Sequence, residues 1–347
     1  MQPLLNVLYI TTQGAYLAKA GRAVQVRANR KTLAQLPLHN LEAIVAFGRV
    51  GASPALLGAC GEAGVAVSLL TERGRFLASV HGATRGNVLL RRRQYRLADD
   101  DEATLAVARN FVRAKLANAR TVLVRAAREA PDNSDRRAAL QRRAGRLSAS
   151  LEEVSGASTL DALRGLEGEA ATQYFQAFNA LQTTPPGADG FAFERRSRRP
   201  PLDRINALIS FLYTLLLLDV RSACEAAGLD PCVGFLHADR PGKPSLALDL
   251  MEELRPVLAD RLALSLINRR QITPDGFRRE TGGAVVMDDP TRKTVLVAWQ
   301  QRKRETLTHP FLGESVPLGL VPHLQARLMS RFLRGDLEAY PPFLWKG

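Results

Sequence analysis

Arg91-Arg92-Arg93-Gln94-Tyr95 stands where the texture of the chain changes. Before it, short apolar runs alternate with turn residues; after Asp100, apolar residues recur at helical spacing. Upstream, residues 4–12 and 41–47 read as apolar strands. Residues 15–19 and 23–27 alternate around Ala20-Gly21-Arg22, a hairpin pattern. Residues 65–70 and 75–80 repeat it around Glu72-Arg73-Gly74. Ser53-Pro54 caps a helical pattern that runs to residue 63. Strands this short predict a small sandwich rather than a parallel nucleotide-binding sheet.

Downstream, the spacing predicts helices over residues 102–130, 135–149, 160–181, 203–227, 245–268 and 316–333. Pro256 falls inside the fifth and predicts a kink, because it removes a backbone donor. The segment Pro185-Pro186-Gly187 is loop chemistry. The run Glu194-Arg195-Arg196-Ser197-Arg198-Arg199-Pro200-Pro201 is cationic and broken by proline. The expected class is α+β: a small β-rich, sandwich-like N-terminal domain over residues 1–90, a linker over 91–100, and an all-α catalytic domain over 101–347.

Composition narrows the partners. The 347 residues carry 48 Lys+Arg against 34 Asp+Glu, a net charge of +14. Basic residues spread over many segments favour nucleic acid over an anionic membrane. The apolar stretch 207–220 is interrupted by Ser210, Thr214 and Asp219, and reads as too short and polar to span a bilayer. The first residues lack a signal-peptide pattern. Cys60, Cys224 and Cys232 cannot all pair and have no zinc spacing, so a reduced, cytoplasmic protein is expected.

Three blocks carry potential chemistry: Arg164-Gly165-Leu166-Glu167-Gly168, Gly234-Phe235-Leu236-His237, and Asp249-Leu250-Met251-Glu252-Glu253-Leu254-Arg255-Pro256. Glu167 lies beside the buried stripe of its helix; taken alone it reads as a boundary glutamate paired with Arg164. His237 alone reads as a core or capping histidine. Ser245 is placed to cap the next helix. On that helix Asp249 and Glu252 share a face at i and i+3, a costly arrangement unless a cation lies between them. Arg255, one turn beyond Glu252, can pair with it. Together the blocks offer an imidazole and two or three carboxylates, a set that can hold one hard divalent ion. No phosphate-cradling loop competes: Gly82-Ala83-Thr84-Arg85-Gly86 is too irregular.

These blocks, in this order, closely resemble the signature blocks of the CRISPR-associated endonuclease family, the integrase subunit of the spacer-acquisition machinery. The resemblance extends over nearly the whole chain, including Pro200-Pro201-Leu202-Asp203-Arg204-Ile205-Asn206, and around His237 it is similar to the type I-C variant. It implies a single Mg²⁺ or Mn²⁺ held by Glu167, His237 and Glu252, with Asp249 at a further acidic position near the metal. Some relatives carry Asp where this chain has Glu252. It also implies a homodimer built through the N-terminal domain, joined by a smaller adaptation subunit, that inserts short DNA fragments beside a CRISPR repeat and acts on double-stranded and branched DNA. Arg195, Arg196, Arg198 and Arg199 are the densest cationic cluster and the candidate DNA contacts. Two other readings stay open from sequence: a metal nuclease of DNA repair, and a basic non-catalytic DNA-binding scaffold.

Overall fold

The computed structural model describes residues 6–80, 82, 88–183 and 190–347. Pro185-Pro186-Gly187 and residues 83–86 therefore lie outside the described residues. The chain divides into two compact units, Met1–Gly86 with Met287–Arg304, and Asn87–Val286 with Glu305–Gly347.

The first unit holds two four-stranded sheets. Strands β1 (Val7–Ile10), β2 (Tyr16–Ala20), β3 (Ala23–Ala28), β4 (Lys31–Pro37), β5 (Ala43–Phe47) and β6 (Gly51–Ala52) precede α1 (Pro54–Ala63), β7 (Ala66–Leu70) and β8 (Phe76–Val80). The two expected hairpins form: Ala20 pairs with Ala23, and β7 runs antiparallel to β8. Gly21 takes a φ of 61° in the first turn, where a side chain would be strained. Ser53 caps α1 by accepting from Leu56 N. Both sheets and α1 bury one apolar core, from Ile10 and Leu17 through Val24, Val26 and Ile44 to Leu56 and Val67. The first sheet departs from expectation, because β1, β5 and β7 are mutually parallel. Parallel neighbours need a crossover, and α1 supplies it between β5 and β7. The sign was in β5, whose Ile44-Val45-Ala46-Phe47 is apolar without alternation and buried throughout.

The second unit begins with α2 (Val88–Ala98), where a linker was expected over 91–100. Gln94 makes it part of the unit: it is fully buried, donates to the carbonyls of Asp230 and Val233 at 2.8 Å each, and accepts from Asp230 N. Next comes α3 (Asp101–Glu129), capped by Asp100 and roughly 44 Å long. It packs on α4 (Asp135–Gly156), α5 (Leu160–Gln176) and later on α8 (Ser245–Leu254). The short α6 (Phe178–Leu181) and α7 (Arg204–Ala226) lie between. Among the described residues one helix, α7, is long and apolar enough to cross a membrane, yet Ile205, Leu208, Ile209, Leu212 and Leu216 are fully buried within the unit, as in a core helix. At Pro256 the helix does not break. It widens into a π-helical turn, Arg255–Asp260, and resumes as α9 (Arg261–Asn268). Proline's missing N–H removes one α-type bond, and the wider turn absorbs the loss.

Strands β9 (Phe277–Arg279) and β10 (Val285–Met287) form a hairpin, followed by α10 (Asp289–Arg304). Sequence reading had left α10 undivided within the helical domain, but it belongs to the first unit. The Arg292 guanidinium donates to the Glu72 carbonyl, and Lys303 Nζ lies 3.7 Å from Glu42 Oε2. These anchors sit near opposite ends of α10, beyond opposite ends of β5 and β7, so the helix runs along that sheet. The chain then returns through β11 (Thr306–Thr308) and β12 (Ser315–Pro317) to α11 (Val321–Arg334). Residues 315–317 are thus strand where the helical pattern was expected to begin. Trp299 is fully buried on α10. Trp299→Ala is expected to cost about 3–5 kcal/mol and to speed amide exchange in β5 and β7 while leaving α3 protected. Faster exchange in α3 instead would show that α10 stabilises the other unit.

Candidate functional site

The Gly234–His237 stretch is turned against the N-terminal half of α8 by one carboxylate. Asp249 is completely buried. Its Oδ2 accepts from Phe235 N at 2.6 Å and Leu236 N at 3.0 Å. Its Oδ1 accepts from His237 N at 3.0 Å and meets His237 Nδ1 at 2.7 Å. A carboxylate can only accept, so Nδ1 carries a proton, and Nε2 is the ring nitrogen left to face Glu252. Gly234 permits the close approach: a Cβ there would lie 2.7 Å from both Asp249 Oδ2 and the Ser245 carbonyl carbon. Ser245 does not cap α8 as expected. Pro244 precedes the helix without a capping bond, and Ser245 Oγ bonds back to Ala238 O at 3.2 Å.

One turn beyond Asp249, Glu252 points the same way and is 2% exposed. His237 Nε2 lies 3.9 Å from its Oε1, and Arg255 Nη1 lies 2.8 Å from that oxygen. Lys115, from the middle of α3, enters between the acids. Its Nζ is 2.6 Å from Glu252 Oε2 and in direct contact with Glu167 Oε1. Burial alone would raise the Glu252 carboxyl. Arg255, Lys115 and His237 outweigh it and hold the group well below the usual carboxylate range. Arg164 does not pair with Glu167: it binds Asp161 at 2.9 Å and the Leu236 carbonyl at 2.8 Å, tying α5 to the histidine turn.

Glu253, the next residue, faces away. It accepts from Tyr340 Oη at 2.6 Å, Phe343 N at 2.6 Å and Gln325 Nε2 at 2.9 Å. Burial pushes its carboxyl up to about 8. Asn118, one turn after Lys115, donates to the Glu253 carbonyl at 2.7 Å and to the Phe343 carbonyl at 2.8 Å. These bonds fix α8 against α3.

Glu167, His237 and Glu252 are therefore brought to one place, and Asp249 is joined to it through the imidazole. As the side chains stand, the described residues hold no ready cluster of three His, Cys, Asp or Glu for an ion. An ammonium occupies the space between the carboxylates. The donor set nonetheless suits a divalent cation. Glu252 Oε2 is buried and has no aligned hydrogen bond, only the charge contact with Lys115. His237 has its Nδ1 proton fixed by a carboxylate, as metal-binding histidines do. Asp249 does not fit as a direct ligand, since four donors already use its oxygens. Sequence reading missed Lys115, although the signal was present: it stands in the buried stripe of α3 formed by Ala108, Phe111, Val112, Ala119 and Val122.

The arginine cluster divides. Arg195, Arg198 and Arg199 are exposed. Arg196 turns inward, donating to Asn206 Oδ1 at 2.6 Å and to Ser210 Oγ, with its guanidinium 5.5 Å from the Tyr213 ring centre. It braces the loop and is corrected from candidate DNA contact to structural support. Arg195 also lines a cavity of about 450 Å³ with Arg204, Arg278 and Arg279.

Removing Asp249 leaves three backbone donors and an imidazole without their acceptor. Asp249→Ala is expected to lose about 3–5 kcal/mol of stability, whereas Glu167→Ala should stay within about 1 kcal/mol. Urea unfolding of the two variants checks this, and an Asp249→Ala protein as stable as the parent would overturn its positioning role.

The family profile described as "CRISPR associated protein Cas1" matches residues 8–301. A CRISPR-associated endonuclease Cas1 of Chlorobaculum tepidum is 50% identical over 346 residues, covering 100% of both chains. Another, from Rhodospirillum rubrum, is 53% identical over 358 aligned positions, again with 100% of both chains covered. Among solved structures, a CAS1 protein from Thermotoga maritima superposes with a TM-score of 0.84 at 23% identity, over 97% of this chain and 99% of that one. A casposase bound to integration product superposes with a TM-score of 0.83 at 22% identity, over 96% and 92%. Full-length identity at this level, carried by a chain that folds its three signature blocks into one cluster, places the protein in the Cas1 family of CRISPR-associated endonucleases.

Proposed function

We propose that this endonuclease is metal-dependent and joins short DNA fragments to a CRISPR repeat by phosphodiester transfer. The observation that carries this reading is the convergence of Glu167, Glu252 and the Nε2 face of His237, with Asp249 fixing the imidazole. Mg²⁺ or Mn²⁺ held by Glu167, His237 and Glu252 would supply Lewis-acid stabilisation of charge on phosphate oxygens. The protein's own groups do the positioning. Asp249 keeps the Nδ1 proton in place so that Nε2 stays an acceptor. Arg255 keeps Glu252 ionised and directed into the site. Arg198 and Arg255 line one small cavity beside Lys115 and offer positive charge to a phosphate. In transfer, a fragment's 3′-hydroxyl forms a P–O bond and releases its proton to solvent as the repeat's own P–O3′ bond breaks, and the departing 3′-oxygen takes up a proton to become the new 3′-hydroxyl. The number of phosphodiester bonds is conserved, so no energy-rich cofactor is consumed. With water as the attacking group, the same geometry serves cleavage.

The resemblance extends this reading to a homodimer formed through the first unit, to the smaller adaptation subunit as partner, to double-stranded, branched and repeat DNA as substrates, to the cytoplasm as compartment, and to a type I-C system. The net charge of +14 suits polyanionic substrates.

Strand transfer of a short duplex into a repeat-bearing plasmid tests the reading, with Mn²⁺ varied. Glu252→Ala should be inactive at every Mn²⁺ concentration. Asp249→Asn should fall about 10–100-fold and recover in part as Mn²⁺ rises. Activity that persists in Glu252→Ala, or that ignores the metal, sinks the proposal.

The exposed arginines make a separate prediction. Changing Arg195, Arg198 and Arg199 together to Ala should flatten the dependence of log K on log salt by up to roughly 2–3 units, about equally for unrelated DNA sequences. An unchanged slope would remove the loop from the DNA-binding surface.

A further inference from the structure

Lys115 is the unexplained member of the site. It is a cation on a core stripe, 13% exposed at its side chain, and it contacts both Glu167 and Glu252. A divalent ion bound between those acids would stand a few ångströms from the ammonium. Repulsion between a dication and a monocation at that range, screened by a protein interior rather than by bulk water, opposes binding strongly. Ammonium and metal thus compete for the same carboxylate oxygens.

The surroundings allow the lysine to leave. Its stem is flexible, and its head is a rotatable point charge without the planar fork of arginine. The packing of α3 on α8 does not depend on it, because Asn118 makes that joint through the Glu253 and Phe343 carbonyls and accepts from Trp345 N at 2.8 Å. Beside Lys115 lies a narrow cavity of about 30 Å³, bordered by the small side chains of Ala170 and Ala171. Arg198 and Arg255 line the same cavity, as does Asp260, whose carboxylate is engaged by Tyr213 Oη at 2.8 Å. An ammonium moving toward two guanidinium groups is repelled unless an anion joins them. A DNA phosphate is that anion, and it would gather three cations at one opening.

Resting on the metal-site reading above, we propose that Lys115 is a resident counter-ion which a divalent cation must displace, and that a DNA phosphate draws it away, so that metal and DNA bind cooperatively. The same exchange makes the site a poor trap for free divalent ions until substrate arrives. Coupling of this kind is reciprocal: the factor by which DNA tightens the metal is the factor by which the metal tightens DNA.

The test is Mn²⁺ binding to the full chain, followed by the paramagnetic signal of free Mn²⁺ at fixed ionic strength, with and without a short DNA duplex. The proteins are the parent, Lys115→Met, Lys115→Gln and Glu252→Ala, each checked for folding by thermal unfolding. Without DNA, Lys115→Met and Lys115→Gln should bind Mn²⁺ roughly 10–100-fold more tightly than the parent. The duplex should tighten Mn²⁺ binding to the parent by a similar factor and barely change the variants. Two neutral replacements of different shape guard against a local packing fault in either. If both bind Mn²⁺ no better than the parent, or if DNA tightens all three alike, the lysine is an ordinary ion-pair partner and the proposal fails. In that case, loss of binding in Glu252→Ala would leave the metal site itself standing. Glu252→Ala binding Mn²⁺ as well as the parent would instead overturn the metal site, and this inference with it.

Discussion

Asp249 gathers three successive backbone N–H groups and one imidazole N–H onto a single buried carboxylate. A turn that presents three donors in a row would be costly to bury without such an acceptor. The acceptor in turn would be costly to bury without the donors. Each makes the other tenable, and between them they join residues 234–237 to α8. Gly234 sets how close the two can come, since any side chain there would meet Asp249 and Ser245. The imidazole is thereby aimed at Glu252 without using any of Glu252's own hydrogen-bonding capacity.

Glu252 and Glu253 show how a helix sorts two identical side chains into opposite electrostatic states. Consecutive residues differ by about 100° around the axis. Glu252 turns toward Lys115 and Arg255 and stays ionised despite burial. Glu253 turns toward the C-terminal segment, where Tyr340, Gln325 and the Phe343 amide meet it but no cation does, and burial lifts its carboxyl to about 8. One glutamate is kept available for charge chemistry and the other ties the end of the chain to the same helix. The π-helical turn that follows has a matching effect. It carries Arg255 onto the Tyr213 ring, 4.9 Å from its centre, while leaving Nη1 on Glu252. Pro256 thus shapes the cluster by widening the helix just after Glu252.

Much of this was legible in the sequence because it is periodic or local. The break at residue 91, the hairpins, the Ser53 cap and the long amphipathic helices follow from spacing and turn chemistry. The shared face of Asp249 and Glu252 follows from i, i+3 geometry. Parallel pairing of β1, β5 and β7, and the return of α10 to the sheet, depend on contacts between distant segments that no local pattern records. Arg196 could not be separated from Arg195, Arg198 and Arg199 because composition does not reveal which side chain turns inward. Asp249 read as an acid beside the metal because its backbone partners are invisible in a one-dimensional pattern. Lys115 was visible as an anomaly, a charge in an apolar stripe, but its counter-charges lie 52 and 137 residues away in sequence, as the separations of Glu167 and Glu252 from it show.

The charge count of the cluster explains why it can be assembled at all before any ligand arrives. Glu167 and Glu252 bring two negative charges, matched by Lys115 and Arg255, while the charge of Asp249 is met by three backbone N–H groups and the His237 ring. The buried group is close to neutral, which limits the cost of removing it from water. A dication entering alone would upset that balance, and so would a phosphate entering alone. A dication arriving with a phosphodiester would add only one net positive charge, and under the proposed exchange the displaced ammonium would follow the phosphate outward. A site balanced in this way would favour the pair over either ion. That preference would suit a chain of net charge +14, whose field attracts polyanions without regard to sequence: under the proposed exchange, chemistry would be confined to a duplex seated at the cluster.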